Sequence, residues 1–213
     1  MSPSPVPRPT RSRIPLIRFT LGLATLVALI VPMSATARDL SEAERRLVTQ
    51  TFSELLPLPF ATPETFPGKS DRIPYRRLPR SVAPAFGFDY RFSPDGYAVG
   101  RIAFADGIDL LVTFLDESGD SFTDSAYDIH VLDTRSWTIR DSIRIGLDRK
   151  RGDNASTLVQ SAAAVISPDL LITVSILLRQ ESGPPWNPTV DWEETGTEVH
   201  TWDTDLQRFL NDL

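Results

Sequence analysis

Leu170-Leu171-Ile172-Thr173-Val174-Ser175-Ile176-Leu177-Leu178 is the stretch on which the fold class turns. A run this apolar fits either a buried helix or a buried strand. Ile172, Thr173, Val174 and Ile176 are branched at Cβ. Such side chains lose rotamer freedom in a helix and pack well on a pleated surface. The run is read as a strand. Because it is nearly all apolar, it is read as a central strand buried on both faces.

Working outward, the same period-two character extends back to Phe86 and on to the C-terminus. Strands are expected at 86–92, 97–104, 108–115, 126–133, 137–145, 157–166, 170–179, 197–202 and 206–210, separated by Gly, Asp, Ser and Pro turns. Ile139, Ile143 and Ile145 alternate with charged or small polar neighbours, which predicts a strand with one wet face.

A weak internal repeat runs through this region. Ser93-Pro94-Asp95 recurs as Ser167-Pro168-Asp169, and Leu110-Leu111-Val112-Thr113 as Leu170-Leu171-Ile172-Thr173. Glu117-Ser118-Gly119 recurs as Glu181-Ser182-Gly183. His130 and Asp133-Thr134 recur as His200 and Asp203-Thr204. The four matches keep their order, which points to a duplicated unit of four strands, about 86–146 and 155–213. A closed propeller needs roughly four or more blades, more than two such units provide. The expected fold is therefore all-β and mainly antiparallel: a sandwich, a partly open barrel or two propeller-like four-stranded units.

Ahead of the strands, residues 39–56 place Leu40, Leu47, Val48, Phe52, Leu55 and Leu56 near one face at helical spacing. Ser41 followed by Glu44 forms a capping box, and Pro57 and Pro59 stop the helix. This one N-terminal amphipathic helix is expected to dock on the sheet. Prolines 57, 59, 63, 67, 74, 79 and 84 then forbid both a helix and a central strand, so the segment runs extended. Lys69, Arg72, Arg76, Arg77 and Arg80 make a local basic run inside it. Pairing with acids of the same domain is the favoured reading; holding an anionic partner is the other.

The first 37 residues read as a secretory signal peptide. Arg8, Arg11, Arg13 and Arg18 form its basic start, Phe19–Val31 carries no charge, and Ala35-Thr36-Ala37 is a small-x-small cleavage site. A 13-residue apolar run spans roughly 20 Å as a helix, short of a bilayer core of about 30 Å. No membrane anchor is expected after cleavage. Residues 38–85 then form the helix and proline-rich segment, and 86–213 the β domain. The expected location is periplasmic or secreted.

Of 213 residues, 41% are hydrophobic and 23% charged, with no Cys. That excludes a disulfide scaffold, a thiol nucleophile and thiolate zinc sites. Removing the leader takes four of 22 basic residues and none of 28 acidic ones, so the net charge falls from −6 to −10. An acidic exported protein is a poor ligand for nucleic acid or an anionic membrane.

Motifs of hydrolases, zincins and nucleotide binders are absent from the sequence. His130 and His200, each with an Asp three residues on, are candidate bases, but matched positions in a repeated scaffold more often serve the fold. Asp116, Glu117, Asp120, Asp124 and Asp128 form a carboxylate-rich stretch. It is read as a solvated hairpin loop, with calcium binding as the lesser alternative and no cofactor otherwise expected. Asp116, Asp120 and Asp124 also supply the carboxylates that a glycan hydrolase would need.

Residues 180–198 carry the strongest functional signal. The segment reads as a long connection stiffened by Pro184, Pro185 and Pro188 and bearing Trp186, Asp191, Trp192, Glu193 and Glu194. Trp offers a large contact at low entropic cost, and acids orient a partner. The expected function is non-catalytic binding of a protein or cell-wall glycan in the envelope. Its concrete form is an inhibitor or immunity-type protein against a wall-degrading enzyme. The alternatives are a carboxylate-dependent glycan hydrolase and a structural envelope subunit.

Overall fold

A computed structural model describes residues 38–63, 66–67, 73–88, 95–117, 122–152, 156–169, 171–184 and 187–212. The expected leader, Lys69, Arg72, Asp120 and Trp186 lie outside the described residues.

The chain is all-β with one α-helix. Its principal strands are β4 (Asp95–Ala105), β5 (Ile108–Asp116), β6 (Phe122–Asp133), β7 (Thr138–Gly152), β8 (Ser156–Ile166), β9 (Leu171–Ser182), β10 (Thr189–Asp203) and β11 (Arg208–Asp212). They pair in chain order, all antiparallel, as one open sheet. The strands β4–β7 and β8–β11 make two four-strand meanders. They share a single sheet because β7 is 15 residues long and its C-terminal part, Leu147–Gly152, pairs with Thr157–Ala162 of β8.

Beyond Leu147 and Ala162 the two strands part, and short pieces of the N-terminal region take the freed edges. These are β1 (Arg38–Asp39) against Thr138–Ile139 of β7, and β2 (Phe60–Ala61) against Val165–Ile166 of β8. A third piece, β3 (Arg76–Arg77), pairs with Tyr97–Ala98 at the edge of β4. Each covers backbone groups that would otherwise lack partners. Trp202 of β10 and Phe209 of β11 pack on Phe104 of β4, with ring centroids 5.3 and 5.5 Å away. The two meanders therefore share one apolar core, from Leu40 to Phe209.

Helix α1 (Glu42–Thr51) begins with the expected capping box: Ser41 N–H donates to Glu44 Oε2 at 2.8 Å, and Glu44 N–H to Ser41 Oγ at 3.4 Å. It is shorter than its apolar spacing predicted. After Phe52 the chain turns extended, and Arg101 of β4 exchanges backbone hydrogen bonds with Glu54 and Leu56. Satisfying an exposed sheet edge outweighs another helical turn here. Of the strand expected at 86–92, residues 89–92 lie outside the described residues, and 86–88 are not strand. Residues Ala83–Phe86 form a 3-10 turn that ends at Gly87, φ 80°, a left-handed conformation that glycine adopts without strain.

One expectation about strand faces is reversed and another holds only in part. β9 is central in pairing order but buried on one face only: Ile172, Val174, Ile176 and Leu178 are buried, while Leu171, Thr173 and Ser175 are exposed. The face of β7 expected to be wet is covered at Ser142, which is buried and bonded to the His130 ring on which Phe86 packs with centroids 5.0 Å apart, while Arg140 stays exposed. On the other side, Gly146 admits Phe66: an added Cβ would lie 3.2 Å from the Tyr127 ring and 3.3 Å from Phe66. The helix and proline-rich segment thus cover the first meander and leave part of the second bare.

Candidate functional site

The segment 180–198 is not a long loop. β9 runs on to Ser182 and β10 begins at Thr189, so Trp192, Glu193 and Glu194 stand on a paired strand. Pro184, Pro185 and Pro188 all fall between the end of β9 and the start of β10 in the sequence. A register shift between Val190 and Trp192 places Asp191 in a bulge, where it accepts a 2.8 Å hydrogen bond from Ser182 Oγ.

Directly opposed residues in an antiparallel ladder share a face. That rule aligns three rows across β6–β10. The innermost is Ala126, Leu147, Ala162, Ile176 and Gly196, and its four side chains are buried. The next is Asp124, Arg149, Gln160, Leu178 and Glu194. The outermost is Phe122, Arg151, Leu158, Gln180 and Trp192. In that last row Phe122 and Trp192 are each 40% exposed and Leu158 is 37% exposed. Four strand spacings of about 4.8 Å make this strip roughly 19 Å long.

The strip is held in place from below and within. Trp192 Nε1 donates to Gln180 Oε1 at 2.8 Å, and Gln180 Nε2 donates to Ser156 Oγ at 2.9 Å. Asp124, only 2% exposed, accepts from Arg149 Nε at 2.9 Å and from Arg151 at 2.6 Å. The indole is thus fixed in orientation while its ring remains open to solvent.

The opposite face of the second meander is an open trough of about 1040 Å³. Its floor is small and hydroxylated, with Ser161, Ser175, Thr195 and Thr197; Phe66 and Lys150 line its side. Glu193, opposite Arg179, projects on this side, and Trp192 on the other. β10 therefore presents site residues to both faces. Trp192, Asp191, Glu193 and Glu194 lie together on one arm.

The other candidate groups are bonded within the fold. Both histidines are buried. His130 lies between neighbouring strands, with Nε2 2.9 Å from Thr113 Oγ1 and Nδ1 2.7 Å from Ser142 Oγ. Burial lowers its pKa to about 4, the nearby Asp128 opposing the shift and Arg144 adding to it. His200 Nε2 is 3.5 Å from Glu198 Oε2, and burial raises the Glu198 carboxyl above its usual range. The aspartates three residues on do not face these rings as partners. Asp133 Oδ1 accepts from the backbone of Arg135 and Ser136, and Asp203 Oδ1 from that of Asp205 and Leu206. Each turn then carries a positive-φ residue, Trp137 or Gln207. The two hairpins are built alike.

Of the carboxylates of 116–128, Asp120 lies outside the described residues, and three others stand on strands rather than in a loop. Asp116 closes β5, where it accepts from Ser125 Oγ at 3.3 Å; Asp124 and Asp128 lie within β6. Asp124 is clamped by two arginines, and Asp128 is paired with Arg144 Nε at 2.9 Å. Asp124 and Asp128 are thus each engaged by guanidinium groups. Among the described residues, no group of three or more His, Cys, Asp or Glu is placed to hold a metal ion. In the basic run, Arg77 pairs with Asp95 and Arg76 donates to the Gln50 carbonyl at 2.7 Å. Among the described residues no helix is long and apolar enough to cross a membrane.

No family model, no curated protein and no solved structure matches this chain.

Proposed function

We propose that this is an exported, non-catalytic binding protein that engages a protein or cell-wall glycan of the envelope through the β9–β10 arm. The observation that carries the reading is the state of Trp192. The residue is 40% exposed, yet its Nε1 is tied to Gln180, and it shares a cross-strand row with exposed Leu158 and Phe122. A large side chain held rigid in water pays little further entropy when a partner covers it. Glu193 and Glu194 beside it, with the net charge of −10 for residues 38–213, favour a basic partner. An inhibitor of a lysozyme-like hydrolase of the wall is the concrete form.

Calorimetric titration against a basic lysozyme-like hydrolase, and separately against soluble wall glycan, tests it. Binding by the wild-type chain with at least about tenfold loss in Trp192→Ala is the expected result. Equal affinity in the two proteins would remove the arm from the proposal. Turnover of the glycan by the wild-type chain would overturn the non-catalytic reading.

A further inference from the structure

β11 pairs with β10 only along Val199–Asp203. The rest of β10, residues 189–198, pairs with β9 on one side, and no described strand lies on the other. From Trp192 to Glu198 the ladder to β9 is regular, so this is a straight free edge of roughly 20 Å. Alternate residues of such an edge direct backbone N–H and C=O groups outward, which is the template for strand addition.

We propose that this edge of β10 accepts an extended, lysine- or arginine-rich strand of the partner. The inference deepens the binding reading above and rests on it. Charge selects the occupant. Residues 189–198 contain Asp191, Glu193, Glu194 and Glu198 and no basic side chain. Glu193 faces the trough side; Trp192 and Glu194 face the other, by their partners Arg179, Gln180 and Leu178, while the Glu198 side chain, 10% exposed, lies against His200 and is set apart from the edge acids. A strand laid along the edge meets acids on both faces and an indole on one. With basic residues at alternating positions set towards Glu193, the residues between them are apolar and cover Trp192 on the other face. A second copy is disfavoured, because joining two β10 edges sets like charges against each other. The same acids that repel a copy attract a basic strand.

The test uses the protein with a decapeptide of alternating Lys and Val, and a twin of the same sequence methylated on alternate backbone nitrogens. Hydrogen exchange of amides 190–198 is the readout. The proposal expects the unmethylated peptide to slow outward-facing amides about tenfold or more, and the methylated twin to leave them unchanged. Glu193→Lys with Glu194→Lys should abolish that protection and transfer it to a Glu/Val peptide. Equal binding by both peptides without amide protection would overturn strand addition while leaving side-chain binding at the arm intact. Binding by neither would overturn the proposal and make the acids a guard against self-association. The binding reading would then stand or fall on the Trp192→Ala titration alone.

Discussion

Trp192 Nε1 donates to Gln180 Oε1 across the β9–β10 ladder, and the indole that this bond orients is 40% exposed. A half-exposed ring contributes little to the core, so Trp192→Ala should lower stability by less than about 1 kcal/mol in urea unfolding. Gln180→Ala keeps the ring but frees its rotamer. Its affinity for the partner should fall by about three- to tenfold, less than in Trp192→Ala, because only pre-organisation is lost. Calorimetry on both variants gives the order. A larger loss in Gln180→Ala would show that the amide, not the ring, meets the partner.

Asp124 is the buried anchor beneath the strip. Asp124→Asn leaves Arg149 and Arg151 without their shared carboxylate. Both guanidiniums have access to solvent, their side chains being 23% and 58% exposed, so the cost should be about 2 kcal/mol rather than the 3–5 kcal/mol of a fully buried pair. Thermal or urea unfolding measures it. A neutral result would mean that the pair is dispensable to the fold.

His130 makes stability depend on pH. Its folded pKa is about 4, against 6.5 for the exposed side chain. Between those values the unfolded chain binds the extra proton. Stability is therefore fully present above about pH 6.5 and is lost as pH falls towards 4, by roughly 3 kcal/mol in all. His130→Gln should remove this slope from a urea series between pH 4 and 7. An unchanged slope would place the titrating group elsewhere.

Asp133 and Asp203 perform the same turn function with different support. Asp133 also receives Arg140, and these hydrogen bonds overcome burial to hold its pKa at about 2. Asp133→Ala should cost about 2 kcal/mol, and Asp203→Ala about 1 kcal/mol. The Asp133 contribution is lost as pH drops from about 4 to 2. Equal losses measured by chemical unfolding would indicate that Arg140 adds nothing to the turn.

Local chemistry was legible without coordinates wherever neighbours along the chain decide it. Ser41 and Glu44 cap a helix because their spacing alone brings them together. The β-branched run at 172–176 forms a strand, and the Asp-Thr turns close hairpins, for similar reasons. Which face of a strand is covered was not legible, because that depends on where a distant segment lands. Phe86, packed on His130, helps bury Ser142 on the face of β7 predicted to be wet, while nothing described covers Thr173 and Ser175 on β9. The site divides the same way. Residues 180–198 stand out in the sequence through their Trp and acid content. Only pairing with β9 turned that stretch from a loop into an arm, and only the register across five strands brought Phe122 and Leu158 into line with Trp192. Residue type and spacing determine what each short piece can form. Long-range hydrogen-bond register and burial, which no short window contains, decide what those pieces build together.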